Sequence, residues 1–256
     1  MGGRHAKVAL VTGAARGIGK GIAAMLAAQG LTVCVNDISR AAAEDAAAEI
    51  ARGGWAVLPV AGDITSRAAV ETIFDRVESE AGPLWLLVNN AGVYHSAPTT
   101  ELTEAAWDQD FAVDVKGAFL CCQAAIRRMM PRGAGRIVNI ASIAGLIVRT
   151  GQLSYCAAKA AVIHLSRCLA VEVAGYGITV NCLCPGMTDT EMLRQSIRER
   201  GASLEACASL VPSGRLATPE DHAHLVAWLA SEQAAHVTGQ VISVDGGQSQ
   251  NLPLAR

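Results

Sequence analysis

The sequence predicts an α/β protein: a single-domain, doubly wound (Rossmann-like) parallel sheet with helices on both faces. Short apolar runs alternate with helical patterns from one end of the chain to the other. Most of these runs lack polar alternation, which is typical of strands buried on both faces of a parallel sheet. A glycine-rich turn also joins the first apolar run to the first helical pattern. No linker, repeat or low-complexity segment interrupts the 256 residues, so one domain spanning 1–256 is expected.

The composition excludes several classes of function. Hydrophobic residues make up 51% of the chain and charged residues 17%, as in compact globular proteins. The net charge is −2 without a basic cluster, so binding to nucleic acid or to an anionic membrane has no electrostatic support. The first residues show no signal-peptide pattern and no apolar run is long enough to span a bilayer, so a cytoplasmic protein is expected. The eight cysteines lack metal-ligand spacing, which predicts buried free thiols and no metal site.

The predicted elements follow one another in regular alternation. Strands are predicted at 6–11, 31–36, 55–60, 84–88, 136–141, 177–183 and 241–244. Helices are predicted from the glycine turn to about Gly30, in an alanine-rich segment at 40–51, and at 66–81, 103–130, 153–174 and 219–231. The stretch at 188–214 has helical but poorer patterning.

The turn after the first strand reads Thr12-Gly13-Ala14-Ala15-Arg16-Gly17-Ile18-Gly19. A strand, a glycine-rich turn and a helix together let the backbone approach a pyrophosphate at the helix N-terminus. The glycine spacing is Gly-x3-Gly-x-Gly, which differs from the Gly-x-Gly-x-x-Gly fingerprint of many dinucleotide-binding proteins. An ordinary tight connection between a strand and a helix therefore remains an alternative.

Asp37 stands at the end of the second predicted strand, 18 residues beyond Gly19. A carboxylate at this position can bind both ribose hydroxyls and repels a 2′-phosphate, which favours NAD over NADP. Arg16 favours NADP, because a basic residue in the glycine turn can bind that phosphate. We give Asp37 more weight, since a carboxylate at the ribose edge imposes a direct like-charge cost. The alternative for Asp37 is a charge at the N-terminus of the next helix.

Tyr155 and Lys159 lie four residues apart at the start of an apolar helical pattern, so they share one helix face. An ammonium beside a phenol favours the phenolate, so we expect the pKa of Tyr155 to lie below its ordinary value of about 10. Tyr155 is therefore a candidate proton donor and acceptor. Ser142 follows a predicted strand and can bring a hydroxyl to the same place. Solvated helices often carry tyrosine and lysine at this spacing, so the pair alone is weak evidence.

Together these motifs resemble those of the short-chain dehydrogenase/reductase family. The resemblance extends from Lys7 to Gly247. It rests on the glycine turn, Asp63, Asn89-Asn90-Ala91-Gly92, Ser142, Tyr155-x3-Lys159, Pro185-Gly186, and the ending Thr238-Gly239-Gln240 to Asp245-Gly246-Gly247. It implies an NAD(P)-dependent oxidoreductase acting on CH–OH groups.

The resemblance implies roles for the matching residues. Tyr155 would exchange a proton with the substrate oxygen, Ser142 would polarise that oxygen, and Lys159 would lower the phenol pKa and bind the nicotinamide ribose. The residues expected to bind the cofactor are Gly13, Arg16, Ile18, Gly19, Asp37, Asp63, Ile64, Asn90, Ala91, Gly92, Tyr155, Lys159, Pro185, Gly186, Thr188 and Thr190. No metal is needed, because the hydride comes from the nicotinamide and the proton from the tyrosine.

Asp114 departs from the family pattern. The family usually has an asparagine in an Asn-x-x-Gly pattern, associated with a water-mediated proton relay through the lysine, whereas this chain reads Asp114-Val115-Lys116-Gly117. Aspartate loses the amide donors and can carry a charge. If Asp114 pairs with Lys159, it weakens the effect of the lysine on Tyr155. If the relay mainly uses backbone groups, little changes. Asp114 is therefore one of the candidate catalytic residues.

The expected substrate lies between the nicotinamide, Tyr155 and a substrate-loop segment at about 187–215. The residues expected to bind it are Ser142, Ala144, Gln152, Tyr155 and Met187, with Leu146, His95 and Met192 as further candidates for its lining. His95 is more readily explained as a loop residue. Most of these side chains are apolar, which favours a carbonyl or secondary alcohol on a largely apolar frame.

Three functions are compatible with these residues. The leading one is an NAD(H)-dependent secondary-alcohol dehydrogenase or ketone reductase. The second is an NADPH-dependent 3-oxoacyl thioester reductase, which Arg16 supports. The third is a dinucleotide-binding regulatory protein whose catalysis Asp114 has impaired. Family members are commonly tetramers or dimers, and a homotetramer is expected here. The apolar Leu169, Val171 and Val173 and the tail at 251–256 are compatible with it.

Overall fold

The structure, a computed structural model, describes residues 7–250, except the side chains of residues 199 and 200. Residue 6, in the predicted first strand, and the tail at 251–256, to which an interface role was assigned, lie outside the described residues. The strands are β1 (Val8–Val11), β2 (Thr32–Asp37), β3 (Val57–Ala61), β4 (Leu84–Asn89), β5 (Gly135–Ile140), β6 (Ile178–Pro185) and β7 (Val241–Val244). The helices are α1 (Gly17–Ala28), α2 (Arg40–Ala51), α3 (Arg67–Glu80), α4 (Glu104–Asp110), α5 (Ala118–Met129), α6 (Leu153–Val173), α7 (Glu191–Arg200), α8 (Leu204–Ser209) and α9 (Pro219–Leu229).

The seven strands form one sheet in the order β3-β2-β1-β4-β5-β6-β7, and every neighbouring pair is parallel. The predicted fold class is therefore confirmed. The chain winds outward from β1 to β3 and then in the opposite direction from β4 to β7. The reversal lies between β1 and β4, and at such a point the connections leave a crevice outside the carboxyl ends of the strands.

The core has two main layers, one on each face of the sheet. Successive residues of β1 point to opposite faces of the sheet and contribute to different layers. Ala9 and Val11 belong to the layer with α1, α2 and α9, whereas Val8 and Leu10 belong to the layer with α3, α5 and α6. All four residues are buried. A strand covered on both faces needs apolar residues at every position, which explains the absence of polar alternation in the sequence.

The segment predicted as one helix at 103–130 is three elements. A π-helix at Phe111–Gly117 separates α4 from α5. The wider π turn carries Asp114 into the interior, where 2% of its surface is exposed. Gly117 packs closely there, because an added Cβ would lie 2.6 Å from Ile64 Cδ1. The stretch is therefore helical as predicted, but apolar spacing reveals a helical period and not the extra residue of a π turn.

The helical stretch predicted at 188–214 is also divided. Helix α7 ends at Gly201, whose φ of +62° is the left-handed conformation that terminates many helices. Helix α8 then starts after Ser203, whose hydroxyl accepts a hydrogen bond from Ala206 N. The stretch therefore lacks one continuous helical pattern of apolar residues, because Gly201 and Ser203 divide it into two short helices.

The prediction that the cysteines are buried needs correction. All eight cysteines are free, but Cys168 is exposed on α6, and Cys156 and Cys207 are half-buried, so only five thiols are buried as predicted. Val171 is 83% exposed, but Val173 is buried and Leu169 packs against the core. The long helix α6 therefore presents Val171 alone of these three to solvent. No helix in the described part of the chain is both long and apolar enough to cross a membrane.

Candidate active site

An elongated cavity of about 720 Å³ lies along the carboxyl ends of the strands. Its lining includes Asp37 at the end of β2, Gly13 after β1, Ser142 after β5 and Pro185 at the end of β6. The cavity thus occupies the crevice at the reversal of strand order, where ligands bind in open α/β sheets.

The glycine turn forms one wall of this cavity. Gly13 has a φ of +58°, and an added Cβ would lie 2.7 Å from Ala91 Cα, so only glycine fits between β1 and the end of β4. Arg16 is the N-cap of α1 but makes no side-chain cap, which leaves the first N–H groups of the helix without a side-chain acceptor. Gly17 and Ile18 line the cavity at that point. This wall can therefore receive an anion such as a pyrophosphate.

Asn90 fastens the glycine turn to the end of β4. Its side-chain Nδ2 donates hydrogen bonds to Thr12 O at 3.0 Å and to Gly13 O at 2.9 Å. Gly19 packs directly against the Asn90 side chain that makes these two hydrogen bonds, since an added Cβ would lie 2.3 Å from Asn90 Nδ2. The structure does not place Gly19 in the lining of the cavity, and the residue allows close packing of the turn. Its role towards a pyrophosphate stays a prediction.

Two carboxylates line the cavity beside β2 and β3. Asp37 Oδ1 accepts a hydrogen bond from Ser39 N at 3.1 Å, and the second oxygen accepts none from the described residues. Asp63 accepts hydrogen bonds from Thr65 N at 2.8 Å and Thr65 Oγ1 at 2.9 Å. Asp37 therefore retains an acceptor for a ligand hydroxyl.

Ser142, Tyr155 and Lys159 meet at the part of the cavity beside β5 and α6. Ser142 lies two residues beyond the end of the buried strand β5, and its Oγ accepts a hydrogen bond from Ala144 N at 3.1 Å. Tyr155 lies in the first turn of α6, with Lys159 one turn later. Lys159 Nζ is 5.4 Å from the centre of the Tyr155 ring, so the ammonium and the phenol share one helix face.

Lys159 is held by Asp114. Its Nζ lies 2.9 Å from Asp114 Oδ2 and also donates a hydrogen bond to Ile140 O at 3.4 Å. Asp114 Oδ1 accepts a hydrogen bond from Val93 N at 2.9 Å. Both partners are almost completely buried. The pairing considered for Asp114 on sequence grounds is therefore present in the structure.

The pKa of Tyr155 is raised from its ordinary value, and the expectation that it would be lowered was wrong for this protein environment. Burial of the phenol is the largest cause, because a phenolate is costly to desolvate. Lys159 lowers the pKa, as expected, whereas the charge of Asp114 raises it again. The sequence indicated the favourable cation but not the extent of burial around the phenol.

The pKa values of both partners in the Lys159–Asp114 ion pair are raised. Burial lowers the pKa of Lys159, but Asp114 and Tyr155 more than offset this, so the pKa is raised and the ammonium is retained. The pKa of Asp114 is also raised, because the effect of burial exceeds the lowering by Lys159 and by the Val93 N–H. Because the ammonium lies 2.9 Å from one oxygen of the carboxylate and Val93 N donates a hydrogen bond to the other, we take the ionised pair as the resting state.

Thr188 is positioned by a histidine that sequence analysis did not identify. Its hydroxyl donates a hydrogen bond to Gly186 O at 2.9 Å, so the His222 Nε2 at 2.8 Å acts as a donor to Thr188 Oγ1. Burial lowers the pKa of His222 to about 4, so the ring is neutral near pH 7. His222 lies on α9, 34 residues along the chain from Thr188, and nothing in the local sequence connects the two.

Comparisons with known proteins match nearly the whole chain. A family model described as enoyl-(acyl carrier protein) reductase matches residues 13–249. The chain is 40% identical to cis-4-hydroxycyclohexanecarboxylate dehydrogenase of Sinomonas cyclohexanicum over 242 residues, which is 94% of this chain and 96% of the relative. It is 36% identical to 3-oxoacyl-(acyl-carrier-protein) reductase of Escherichia coli (strain K12) over 241 residues, covering 94% of this chain and 96% of the relative. The crystal structure of a short-chain type dehydrogenase/reductase from Mycobacterium marinum matches with a TM-score of 0.89 and 34% identity, covering 94% of this chain and 95% of the other. The chain belongs to the short-chain dehydrogenase/reductase family.

Family membership confirms the expected class of enzyme, an oxidoreductase acting on CH–OH groups. Enzymes of this family use a nicotinamide dinucleotide, which supplies or accepts the hydride. The residues present fit such a cofactor. Gly13 leaves room that a Cβ would fill, the first turn of α1 has uncapped N–H groups, and Asp37 keeps a free acceptor oxygen.

Most of the predicted site residues line the cavity. Those that do are Gly13, Arg16, Ile18, Asp37, Asp63, Ile64, Asn90, Ala91, Gly92, Ser142, Ala144, Gln152, Tyr155, Lys159, Pro185, Gly186, Met187, Thr188, Thr190 and Met192. Asp114 lies behind the wall, and Leu146 is 44% exposed outside it. His95 also lies outside the lining and contacts the buried Asp110 at 2.7 Å through Nδ1, which agrees with a loop residue.

Tyr94 and Arg149 line the cavity and were missed. Tyr94 meets Tyr155 edge to face, with ring centres 5.2 Å apart. Arg149 precedes Gln152 in the loop between Ser142 and Tyr155. Because Arg149 lies between Ser142 and Tyr155 in the sequence, it could have been recognised as a candidate for the lining of the site.

Proposed function

We propose that the protein is an NAD(H)-dependent oxidoreductase that interconverts a secondary alcohol and a ketone, with Tyr155 as the general acid and base. The observation that carries the proposal is the meeting of Tyr155, Ser142 and the Lys159 ammonium on one wall of a dinucleotide-sized crevice. The relative from Sinomonas cyclohexanicum is named for a hydroxy compound and the one from Escherichia coli for a 3-oxo compound, so both names support chemistry at a carbon–oxygen centre.

The proton moves through the Tyr155 oxygen. In alcohol oxidation the Tyr155 phenolate accepts the hydroxyl proton of the substrate, and in ketone reduction the phenol donates it back. Ser142 donates a hydrogen bond to the substrate oxygen and stabilises the negative charge that develops there. Lys159 favours the phenolate by its charge, and the fixed pair with Asp114 holds its ammonium beside the ring. The bound dinucleotide accepts or supplies the hydride.

The proposed cofactor preference is NAD. Asp37 supplies an acceptor oxygen at the end of β2, where a carboxylate repels a 2′-phosphate. Arg16 is exposed, and its charge, after that of Arg198 and Arg194, contributes to lowering the pKa of Glu191 on α7. Arg16 thus has an acidic neighbour in Glu191, which weakens the argument that it serves a 2′-phosphate.

The test is a panel of small ketones and secondary alcohols assayed with both nicotinamide cofactors. We expect turnover with a kcat/KM at least about tenfold higher for NADH than for NADPH. Asp37→Ala removes charge-assisted hydrogen bonds of about 1.5–3 kcal/mol, so it is expected to lower kcat/KM with NADH at least about tenfold. Asp45→Ala, in the exposed part of α2, is the matched control. A strong NADPH preference of the wild type would contradict the assignment to Asp37.

A 3-oxoacyl thioester reductase is the second candidate. Arg16 lines the cavity without an ion pair at salt-bridge distance among the described residues, and one relative is named as such a reductase. A 3-oxoacyl thioester included in the same panel distinguishes the two, because this candidate requires the thioester with NADPH to exceed every simple ketone with NADH. The regulatory alternative has less support, since Ser142, Tyr155 and Lys159 all reach the cavity.

We also propose a homotetramer in the cytoplasm. Val171 on α6 is 83% exposed and Phe119 on α5 is 38% exposed, so both long helices present apolar side chains outward. All cysteines are free, which suits a reducing compartment. We expect sedimentation velocity at micromolar protein to give a single species of four chains, and a profile with monomer alone would rule this out.

A further inference from the structure

Arg149 is a cation in the wall of the active-site cavity, and it has no counter-charge among residues 7–250 whose side chains the structure describes. Its side chain is half-buried and lines the cavity together with Gln152 and Tyr155. No carboxylate among the described residues lies within ion-pair distance of its guanidinium. An arginine in such a wall offers a planar set of donors that matches a carboxylate.

Arg16 in the glycine turn after β1 also lines the cavity without an ion pair among the described residues, and the other charges of the lining are paired or lie across the strand reversal. Lys159 is paired with Asp114 at 2.9 Å, and Glu191 with Arg198 at 2.6 Å. Asp37 ends β2 and Asp63 follows β3, on the opposite side of the strand reversal from Ser142 and α6. Within the described part of the chain, Arg149 is therefore a positive charge without a counter-charge, in the loop between Ser142 and Tyr155 where the reaction is proposed to occur.

The backbone around Arg149 is held in place. Arg149 O accepts a hydrogen bond from Gln152 N at 3.3 Å, which closes a turn directly before α6. Ala97 N donates to Gly151 O at 3.0 Å and ties this turn to the segment that carries Tyr94. Gly151 has a φ of +74°, which the turn requires. The turn thus fixes the origin of the arginine side chain relative to Tyr155, only six residues later.

Apolar side chains also contribute to the lining of the cavity, next to polar ones such as Gln109 and Ser196. The apolar side chains include Ile143, Met187, Met192, Ile197 and Leu210. We propose that the substrate is an oxo or hydroxy acid, with its carboxylate bound by Arg149 and an apolar carbon frame between the carboxylate and the reacting carbon. This rests on the proposed ketone and alcohol chemistry and specifies the substrate class of that site.

The experiment compares a series of oxo acids with their methyl esters. The probes are 4-oxopentanoate, 5-oxohexanoate and 6-oxoheptanoate, which differ in the distance from ketone to carboxylate, assayed with the full-length protein and NADH. We expect the best acid to exceed its ester in kcat/KM by at least about tenfold. Arg149→Met is expected to lower kcat/KM for that acid about 30-fold, mainly through KM, a loss of about 2 kcal/mol. The ester is expected to change less than about threefold, since it forms no charged contact.

Two further variants sharpen the result. Arg149→Lys keeps the charge but loses the bidentate geometry, and we expect it to recover part of the acid preference. Arg52→Met removes an exposed arginine outside the cavity and should change neither probe. Equal loss for acid and ester in Arg149→Met would overturn the proposal, because it would indicate a merely structural residue. Equal turnover of acid and ester by the wild type would also overturn the proposal, but it would still support the proposed ketone reductase activity.

Isothermal titration calorimetry in the presence of NAD separates this inference from the proposed function. If the wild type reduces none of the probes, but binds an acid at least about tenfold more tightly than its ester and loses that preference in Arg149→Met, the anion site stands and the proposed reaction fails. If neither binding nor turnover depends on the carboxylate, the anion site fails. Turnover of a 3-oxoacyl thioester unaffected by Arg149→Met, with no preference among the acids, would also overturn it.

Discussion

Replacing Tyr155 by phenylalanine is expected to reduce kcat/KM by about three orders of magnitude in both directions of the reaction. The phenylalanine ring keeps the edge-to-face contact with Tyr94, so the wall of the cavity is preserved. It removes the hydroxyl that exchanges the proton with the substrate oxygen, and a positioned general acid or base contributes about 10²- to 10⁴-fold. Steady-state kinetics with the preferred ketone and alcohol measure the effect, with dinucleotide binding by fluorescence titration as the check on integrity.

Tyr176→Phe is the matched control for this variant. Tyr176 is 46% exposed beyond the end of α6, so loss of its hydroxyl should leave kcat/KM within about twofold. A Tyr155→Phe enzyme that retains a tenth or more of the wild-type activity would remove the phenol from the mechanism. A wild type no more active than Tyr155→Phe would instead favour the dinucleotide-binding regulatory protein.

Asp114→Asn is expected to shift the pH–rate profile to lower pH in both directions. The charge of Asp114 raises the pKa of Tyr155, in addition to the larger effect of burial. Without that charge the pKa falls and a larger fraction of Tyr155 is phenolate near neutral pH. Alcohol oxidation uses the phenolate, so its rate at pH 7 should rise severalfold. Ketone reduction uses the phenol, so its decline at high pH should begin earlier.

The pH profile distinguishes this electrostatic role from a structural one. Asp114 does not line the cavity and acts through Lys159, so it is a positioning residue. A purely structural role would lower the amplitude of both profiles without moving them along the pH axis. Asp108→Asn, on the exposed face of α4, is the control for a change of charge alone. If Asp114→Asn leaves the profile in place, the carboxyl group is protonated in the wild type and the ionised pair is wrong.

Stability should be measured beside the kinetics. Removing one member of a buried ion pair leaves the other charge without compensation, which typically costs about 3–5 kcal/mol. Asparagine retains an acceptor oxygen near Lys159, so the lower end of that range is expected. Thermal unfolding with and without bound NAD shows whether the pH profile was recorded on folded enzyme.

The fold could be predicted because one physical pattern recurs along the chain. A parallel strand covered on both faces requires a continuous apolar run, and β1 has buried residues at every position for that reason. The ends of the elements were within a few residues of the predicted ones because glycine and proline mark them, as at Gly30 and Pro185. The π-helix at Phe111–Gly117 was not predictable in this way, since an extra residue per turn leaves the hydrophobic pattern of a helix largely unchanged.

The site was predicted where its residues carry a motif and missed where they are brought together by the fold. Tyr155, Ser142 and the glycine turn stand at recognisable spacings, so their meeting at the sheet edge followed from strand order. His222 reaches Thr188 from another helix, and no spacing reveals that contact. The raised pKa of Tyr155 was missed for a related reason, because desolvation depends on everything packed around the phenol, whereas Lys159 could be identified from the i+4 spacing alone.

The most direct test of the central claim is a crystal structure of the protein with NAD and a slowly reacting secondary alcohol or ketone. The account predicts that the Tyr155 oxygen lies about 3 Å from the substrate oxygen, with Ser142 on the same oxygen and the reacting carbon facing the nicotinamide. A complex in which NAD occupies the cavity but the Tyr155 oxygen lies beyond hydrogen-bond reach of the substrate oxygen would contradict it.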